Sequence, residues 1–223
     1  MADVDKGTAL RDEYRARFAG MDEYRLGVWR IICGEYLSRW ITADAAVLDL
    51  GCGWGEFSNS VTAARRYAMD LNPDAEARLP AGTRFLHQDC SQPWTLADGE
   101  LDVVFTSNFL EHLPDKTGIE RTLAEAWRCL KPGGRLICLG PNIKHVPGEY
   151  WDFWDHHIPL TEASLAEVMM LRGFHIEQRI ERFLPYSMST GRTPPLAFVR
   201  WYLRLPFAWR FFGKQFLVVG RKP

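Results

Sequence analysis

The stretch Val47-Leu-Asp-Leu-Gly-Cys-Gly-Trp-Gly-Glu56 decides how the rest of this 223-residue chain is read. It ends a short apolar strand, Ala46–Leu50, and runs straight into Gly51, Gly53 and Gly55. Glycines directly after a buried strand, and ahead of an expected helix, permit positive φ and let the backbone come close to a ligand. A nucleotide-binding α/β unit places an acidic residue about 20 positions further on, where it takes the two ribose hydroxyls. Asp70, near the end of the second expected strand, stands there.

Spacing and charge select the ligand. Phosphate-binding loops read G-x-G-x-x-G or end in Gly-Lys-Ser/Thr. This loop reads G-x-G-x-G, carries no Lys, and is flanked by Asp49 and Glu56. Carboxylates repel a pyrophosphate and attract ammonium and sulfonium charges. The loop therefore points away from NAD and ATP and towards S-adenosylmethionine.

Outward from the loop, strands and helices alternate. Arg66–Leu71, Arg84–Gln88 and Leu101–Thr106 read as strands, and Arg135–Leu139 as a fifth after the turn Lys131-Pro-Gly-Gly134. Gly118–Leu130 reads as a helix, and so does Leu160–Arg172, with Thr161 as N-cap and Gly173 as its stop. His175–Phe183 and Gln215–Gly220 close the sheet. The pattern predicts an α/β fold with a mainly parallel sheet. Upstream, apolar residues at 3–4 spacing, among them Tyr14, Phe18, Met21, Trp29, Ile32 and Tyr36, predict helices over residues 8–40. One domain is expected: a helical cap over 1–42, a cofactor-binding core over 43–142, and an acceptor-side region over 143–223 with an aromatic insert at 194–212, broken at Pro206.

Four ordered pieces carry a family resemblance beyond the glycine loop: Met69-Asp-Leu-Asn-Pro, His87-Gln-Asp-Cys90, Asp102-Val-Val-Phe-Thr-Ser-Asn-Phe-Leu-Glu-His112 and Leu130-Lys-Pro-Gly-Gly-Arg-Leu136. From about Val47 to Gly140 the chain resembles the class I S-adenosylmethionine-dependent methyltransferases of the type 11, small-molecule group. The resemblance implies a Rossmann-like, seven-stranded sheet with helices on both faces. It also implies roles: Asp49 and the loop around Gly51, Cys52, Gly53 and Gly55 for the methionine ammonium, Asp70 for the ribose diol, Leu71 against the adenine. Asp89 with the Cys90 backbone would take the adenine amine, and Asn108 would lie along the methionine and face the acceptor.

Methyl transfer from a sulfonium needs a nucleophile held in line in a water-poor site, and a hydroxyl acceptor also needs a base. Two clusters offer one. Glu111-His112 reads as structural. His145 and the run Gly148-Glu-Tyr-Trp-Asp-Phe-Trp-Asp-His-His-Ile-Pro159 are richer, so His145, Asp155, His156 and His157 are the catalytic candidates. Adjacent His156 and His157 point differently, so at most one faces the acceptor. Three neighbouring ligands rarely converge from one short loop, and no metal is assigned.

Composition sets outer limits. Five Cys without a C-x-x-C pair exclude a disulfide framework, and the first residues show no apolar signal core, so a cytoplasmic protein is expected. From Arg182 onward there are eight Lys or Arg and no acidic residue, which leaves 19 of the 27 basic and all 28 acidic residues in 1–181, a balance of −9. That tail also holds 10 of the 29 aromatics. Interleaved Arg, Trp and Phe in 194–212 suit a lid over a greasy acceptor, peripheral contact with the inner membrane face, a homodimer interface, or ordinary packing. The expected partner is a small or lipid-linked acceptor, a sugar or natural-product hydroxyl. A nucleic-acid partner is disfavoured, because Ser107-Asn-Phe-Leu110 replaces an amine-positioning Asn/Asp-Pro-Pro motif and the body is acidic. Protein methylation and a non-catalytic cofactor-binding module are the remaining alternatives.

Overall fold

The computed structural model describes residues 22–186 and 193–223. The expected helix start around Tyr14, Phe18 and Met21 lies outside them. Seven strands form one sheet: β1 (Ala46–Leu50), β2 (Arg65–Asp70), β3 (Arg84–His87), β4 (Leu101–Ser107), β5 (Leu130–Pro141), β6 (His175–Ile180) and β7 (Gln215–Arg221). Their order is β3-β2-β1-β4-β5-β7-β6. The strands pair parallel from β3 to β5, and β7 runs antiparallel to both β5 and β6. The order reverses between β1 and β4. A doubly wound sheet opens a crevice at that point, at the carboxyl ends of its strands.

Strand alternation sends side chains to two cores. On one face Leu48, Leu50, Met69, Val104, Leu136 and Val218 pack against helices α2 (Lys116–Cys129) and α3 (Glu162–Leu171). On the other, Val47, Val103, Phe105, Ile137 and Val219 meet α1 (Asp22–Glu35), α4 (Leu196–Arg204) and α5 (Pro206–Phe212). Trp29 of α1 stands edge-on to Phe57 and Phe105, which stack with centroids 3.9 Å apart. An ion pair of 2.7 Å between Arg25 and Glu56 ties α1 to the segment after the glycine loop.

Three sequence expectations need correction. No regular helix follows the glycine loop. Only nine residues separate Gly55 from β2, enough for one turn closed by Asn59 N–H to Gly55 O and Val61 N–H to Phe57 O. Second, β5 begins at Leu130 and so runs through the expected Lys131–Gly134 turn. The segment stays paired with β4 across a register shift, with Gly133 at φ 82°. Third, β6 stops at Ile180, short of Phe183. The break at Pro206 separates α4 from α5 as expected, and Thr161 caps α3. All five cysteines are free and buried. Among the described residues, no helix is long and apolar enough to cross a membrane.

Candidate functional site

The glycine loop leaves β1 at the reversal point with Gly51, Gly53 and Gly55 at φ 68°, 51° and 74°. A side chain at Gly51 would run into the Phe109 ring, so position 51 is held to glycine by close approach as well as by conformation. Asp70 pins the loop: its Oδ2 accepts from Gly53 N–H and its Oδ1 from Asn72 N–H, both at 2.8 Å. Cys52 of the loop is buried and points inward.

Asp49 is buried in β1, and its Oδ2 accepts from the Ser58 hydroxyl (2.7 Å) and Ser58 N–H (3.2 Å). Burial pushes its carboxyl up to about 7, against the two Ser58 hydrogen bonds. Asp70 is raised as well, again by burial. Beside it Leu71 is 56% exposed, an apolar platform next to the acidic strand end. After β3, Asp89 Oδ1 accepts from Ser91 N–H and hydroxyl, and Cys90 lies buried with its carbonyl taking the Trp94 indole N–H.

Asn108 follows β4 with φ 48°, the one non-glycine residue at positive φ among those described. Its Nδ2 donates to Ser107 Oγ at 3.0 Å, while its Oδ1 is buried and accepts nothing. A strained residue with an orphaned acceptor beside a glycine cradle is what a bound ligand would complete. Donors, acidic strand ends and an apolar platform together fit S-adenosylmethionine: cationic at the methionine end, diol in the middle, flat and apolar at the base.

The catalytic candidates divide. Glu111 and His112 occupy a short 3-10 turn after β4, and the post-β5 loop folds back onto it through His157 N–H (2.8 Å) and Ile158 N–H (3.2 Å), both donating to Glu111 O. That places Asp155 Oδ2 3.0 Å from His112 Nδ1, and the His156 ring 4.8 Å from the His112 ring, centroid to centroid. His157 contributes its backbone but its side chain is exposed. His145 stands elsewhere, 2.8 Å from Glu181 and 3.2 Å from Arg182. The expected aromatic wall also splits: Tyr150 and Phe153 flank His156, whereas Trp151 and Trp154 face solvent, Trp154 being 94% exposed.

Glu111-His112, expected to be structural, stands in the turn that follows Phe109, whose ring lies against Gly51 of the glycine loop. The signal was its position just past β4, at the strand end bordering the crevice. Burial holds the Glu111 carboxyl above its ordinary range. For His112 the largest single influence is burial, which lowers it; the Asp155 hydrogen bond and the charges of Glu111 and Asp155 outweigh it, and the imidazole ends up raised.

Comparison with known proteins finds methyltransferases. Residues 48–138 match the family described as "Methyltransferase domain". Over 151 residues the chain is 38% identical to a ubiquinone biosynthesis O-methyltransferase of Xanthomonas oryzae pv. oryzae (strain PXO99A), covering 63% of this chain and 59% of that protein. The chain thus spans about three fifths of the length of that relative. It is 35% identical over 104 residues to a malonyl-[acyl-carrier protein] O-methyltransferase of Hahella chejuensis (strain KCTC 2396), covering 41% and 35% of the two chains. A SAM-dependent methyltransferase structure from Archaeoglobus fulgidus superposes with a TM-score of 0.69 at 18% identity, over 95% of this chain and 99% of that one, which shows the shared fold. Over residues 48–138 the chain is thus similar to the methyltransferase-domain family, and its fold is the one that S-adenosylmethionine-dependent methyltransferases share.

Proposed function

We propose that this protein methylates a hydroxyl oxygen of a small or lipid-linked acceptor. The observation that carries the reading is the meeting of Glu111, His112, Asp155 and His156 past the end of β4, in the turn that begins just after Asn108 and Phe109. Both named relatives are O-methyltransferases, which favours oxygen over nitrogen or carbon. When bound, S-adenosylmethionine supplies a methyl carbon made electrophilic by its sulfonium.

The chain's own residues bind, orient and handle the proton. Asp70 takes the ribose diol, Leu71 lies against the adenine, and Asp89 with the Cys90 backbone receives the adenine amine. Asp49 and the Gly51–Gly55 backbone answer the methionine ammonium, and Asn108 lies between methionine and acceptor. Holding the two reacting centres about 3–3.5 Å apart and aligned supplies a large part of the acceleration. The acceptor proton is lost into the Glu111–His112–His156 cluster, where Asp155 fixes the His112 ring by accepting from Nδ1. In this reading Asp155 and His156 belong to the cluster, whereas His145 stands 2.8 Å from Glu181 and the His157 side chain is exposed.

The lipid-linked alternative draws on α4 and α5, which expose Phe198, Trp201, Phe207, Phe211 and Phe212. Arg200 and Arg204 of this surface are engaged by Glu35 at 2.9 and 3.0 Å, so its attraction to anionic lipid is weaker than a count of arginines implies. The test uses methyl-labelled S-adenosylmethionine, the protein and an extract of its source organism. A labelled, alkali-stable ether is expected; its partition into the organic or aqueous phase separates a lipid-linked from a soluble acceptor. Label in nucleic acid or protein, or none despite cofactor binding, overturns the reading.

A further inference from the structure

Glu111, His112 and His156 present ligand atoms that all lie within 4.8 Å of one another. We infer that they form a divalent transition-metal site with one carboxylate, two imidazoles and an open coordination position on the acceptor side. The inference deepens the methyltransferase reading, and it rests on that reading only for what the open position is used for.

Each ligand is prepared for the role. Glu111 is 1% exposed, and its Oε1 accepts no hydrogen bond. A buried carboxylate oxygen without a donor is costly unless a proton or a cation meets it. His112 has its Nδ1 committed to Asp155, through both the carboxylate and the carbonyl at 3.0 Å, which leaves Nε2 as the outward nitrogen. A carboxylate behind a metal-binding imidazole is the usual outer-shell arrangement; it fixes the ring and raises its basicity. His156 is packed among the rings of Tyr150, Phe153 and His112, with centroids at 4.6, 5.0 and 4.8 Å, so its orientation is set by packing.

The ligands come from two segments, the turn after β4 and the loop after β5. The loop is latched onto the turn by the two N–H donors to Glu111 O. Asp155-His-His alone would not converge on an ion; it becomes a site because the fold brings Glu111 and His112 to it, with Asp155 behind and His157 outside. Metal–ligand bonds of about 2.0–2.2 Å put tetrahedral ligand atoms roughly 3.4 Å apart. Reaching that from the present spacing takes about 1 Å of side-chain movement. Two imidazoles and a carboxylate suit zinc, iron, cobalt or nickel rather than magnesium or calcium, which prefer all-oxygen sets. Three protein ligands leave a position for an acceptor oxygen. A hydroxyl coordinated there is acidified as metal-bound water is; with the ion in place the three side chains are ligands and no longer the proton acceptor, and the proton leaves to solvent.

The experiment uses the untagged full chain, stripped with a chelator and dialysed. It is titrated with Co²⁺, followed by visible absorption, and with Zn²⁺ in a calorimeter. One ion per chain is expected, with the Co²⁺ bands of a histidine- and carboxylate-ligated ion displaced by Zn²⁺. His156→Ala and Glu111→Gln abolish the bands, and Asp155→Asn weakens uptake about 10–100-fold. His145→Ala and His157→Ala leave uptake unchanged. Binding of S-adenosylhomocysteine reports that each variant is folded. Wild-type protein that takes up neither ion, or unaltered uptake by folded His156→Ala and Glu111→Gln, overturns the site. Methyl transfer by protein that takes up no metal would remove the metal site and leave the methyltransferase reading standing. Metal uptake without transfer to any oxygen acceptor would do the reverse.

Discussion

Two carboxylates at neighbouring strand ends show how one residue type acquires two tasks. Asp70 accepts from loop and turn N–H groups; Asp49 is buried in β1 and, among the described residues, accepts from Ser58. Replacing Asp70 by Ala removes the expected ribose partner and unpins Gly53. Calorimetry with S-adenosylhomocysteine is expected to show a loss of about 1.5–3 kcal/mol, as for hydrogen bonds to a charged group. Asp49 carries a pH signature. Its carboxyl is raised by burial to about 7, so the folded state favours its protonated form. The stability this contributes is full below the ordinary carboxylate range and lost as pH climbs to about 7. Without ligand, the melting temperature of wild type is therefore expected to fall relative to Asp49→Asn as pH rises from about 4 to 7. Saturating S-adenosylhomocysteine, whose ammonium favours the ionised Asp49, should shrink that trend; a gap independent of pH counts against the assignment.

Elements were legible where local chemistry decides them. In α3, Thr161 Oγ1 accepts from Ser164 N–H at 3.0 Å, and Ser164 Oγ accepts from Thr161 N–H at 3.1 Å, a reciprocal cap visible as Thr-x-x-Ser. Urea denaturation of Thr161→Ala is expected to show a loss of about 1 kcal/mol with an unchanged m-value. Elements were misread where a neighbour overrules the local signal. Lys131-Pro-Gly-Gly134 has turn composition, yet Gly133 N–H donates to Lys222 O and Lys222 N–H to Gly134 O, so the β7 end draws it into the sheet. The missing helix after the glycine loop is a matter of length: β2 pairs with β1 from Arg65 onward, and that register leaves one turn of chain.

Across the whole molecule, the two faces of the sheet are covered unequally. α2 and α3 cover one face and bury Ile119, Leu123, Leu165 and Met169 against it, whereas α4 and α5 bury Leu203 and Trp209 but turn five large aromatics outward. If that surface meets lipid, Phe207→Ser/Phe211→Ser keeps its affinity for S-adenosylhomocysteine and loses sedimentation with anionic phospholipid vesicles. If wild type does not sediment, the aromatics serve another contact and the acceptor is expected in the aqueous phase. Fold class, glycine loop and acidic strand ends could be read directly, because each depends on contiguous residues: a strand run, glycines with positive φ, a carboxylate at a strand end. Nothing contiguous distinguishes His156 from His157, and only its place just past β4 sets Glu111-His112 apart from any other turn. Only the folded loop after β5, hydrogen-bonded through its backbone to Glu111, selects one imidazole, rejects the other and leaves His145 with Glu181. Convergence of side chains from segments some 40 residues apart is a property of packing, and no local pattern encodes it.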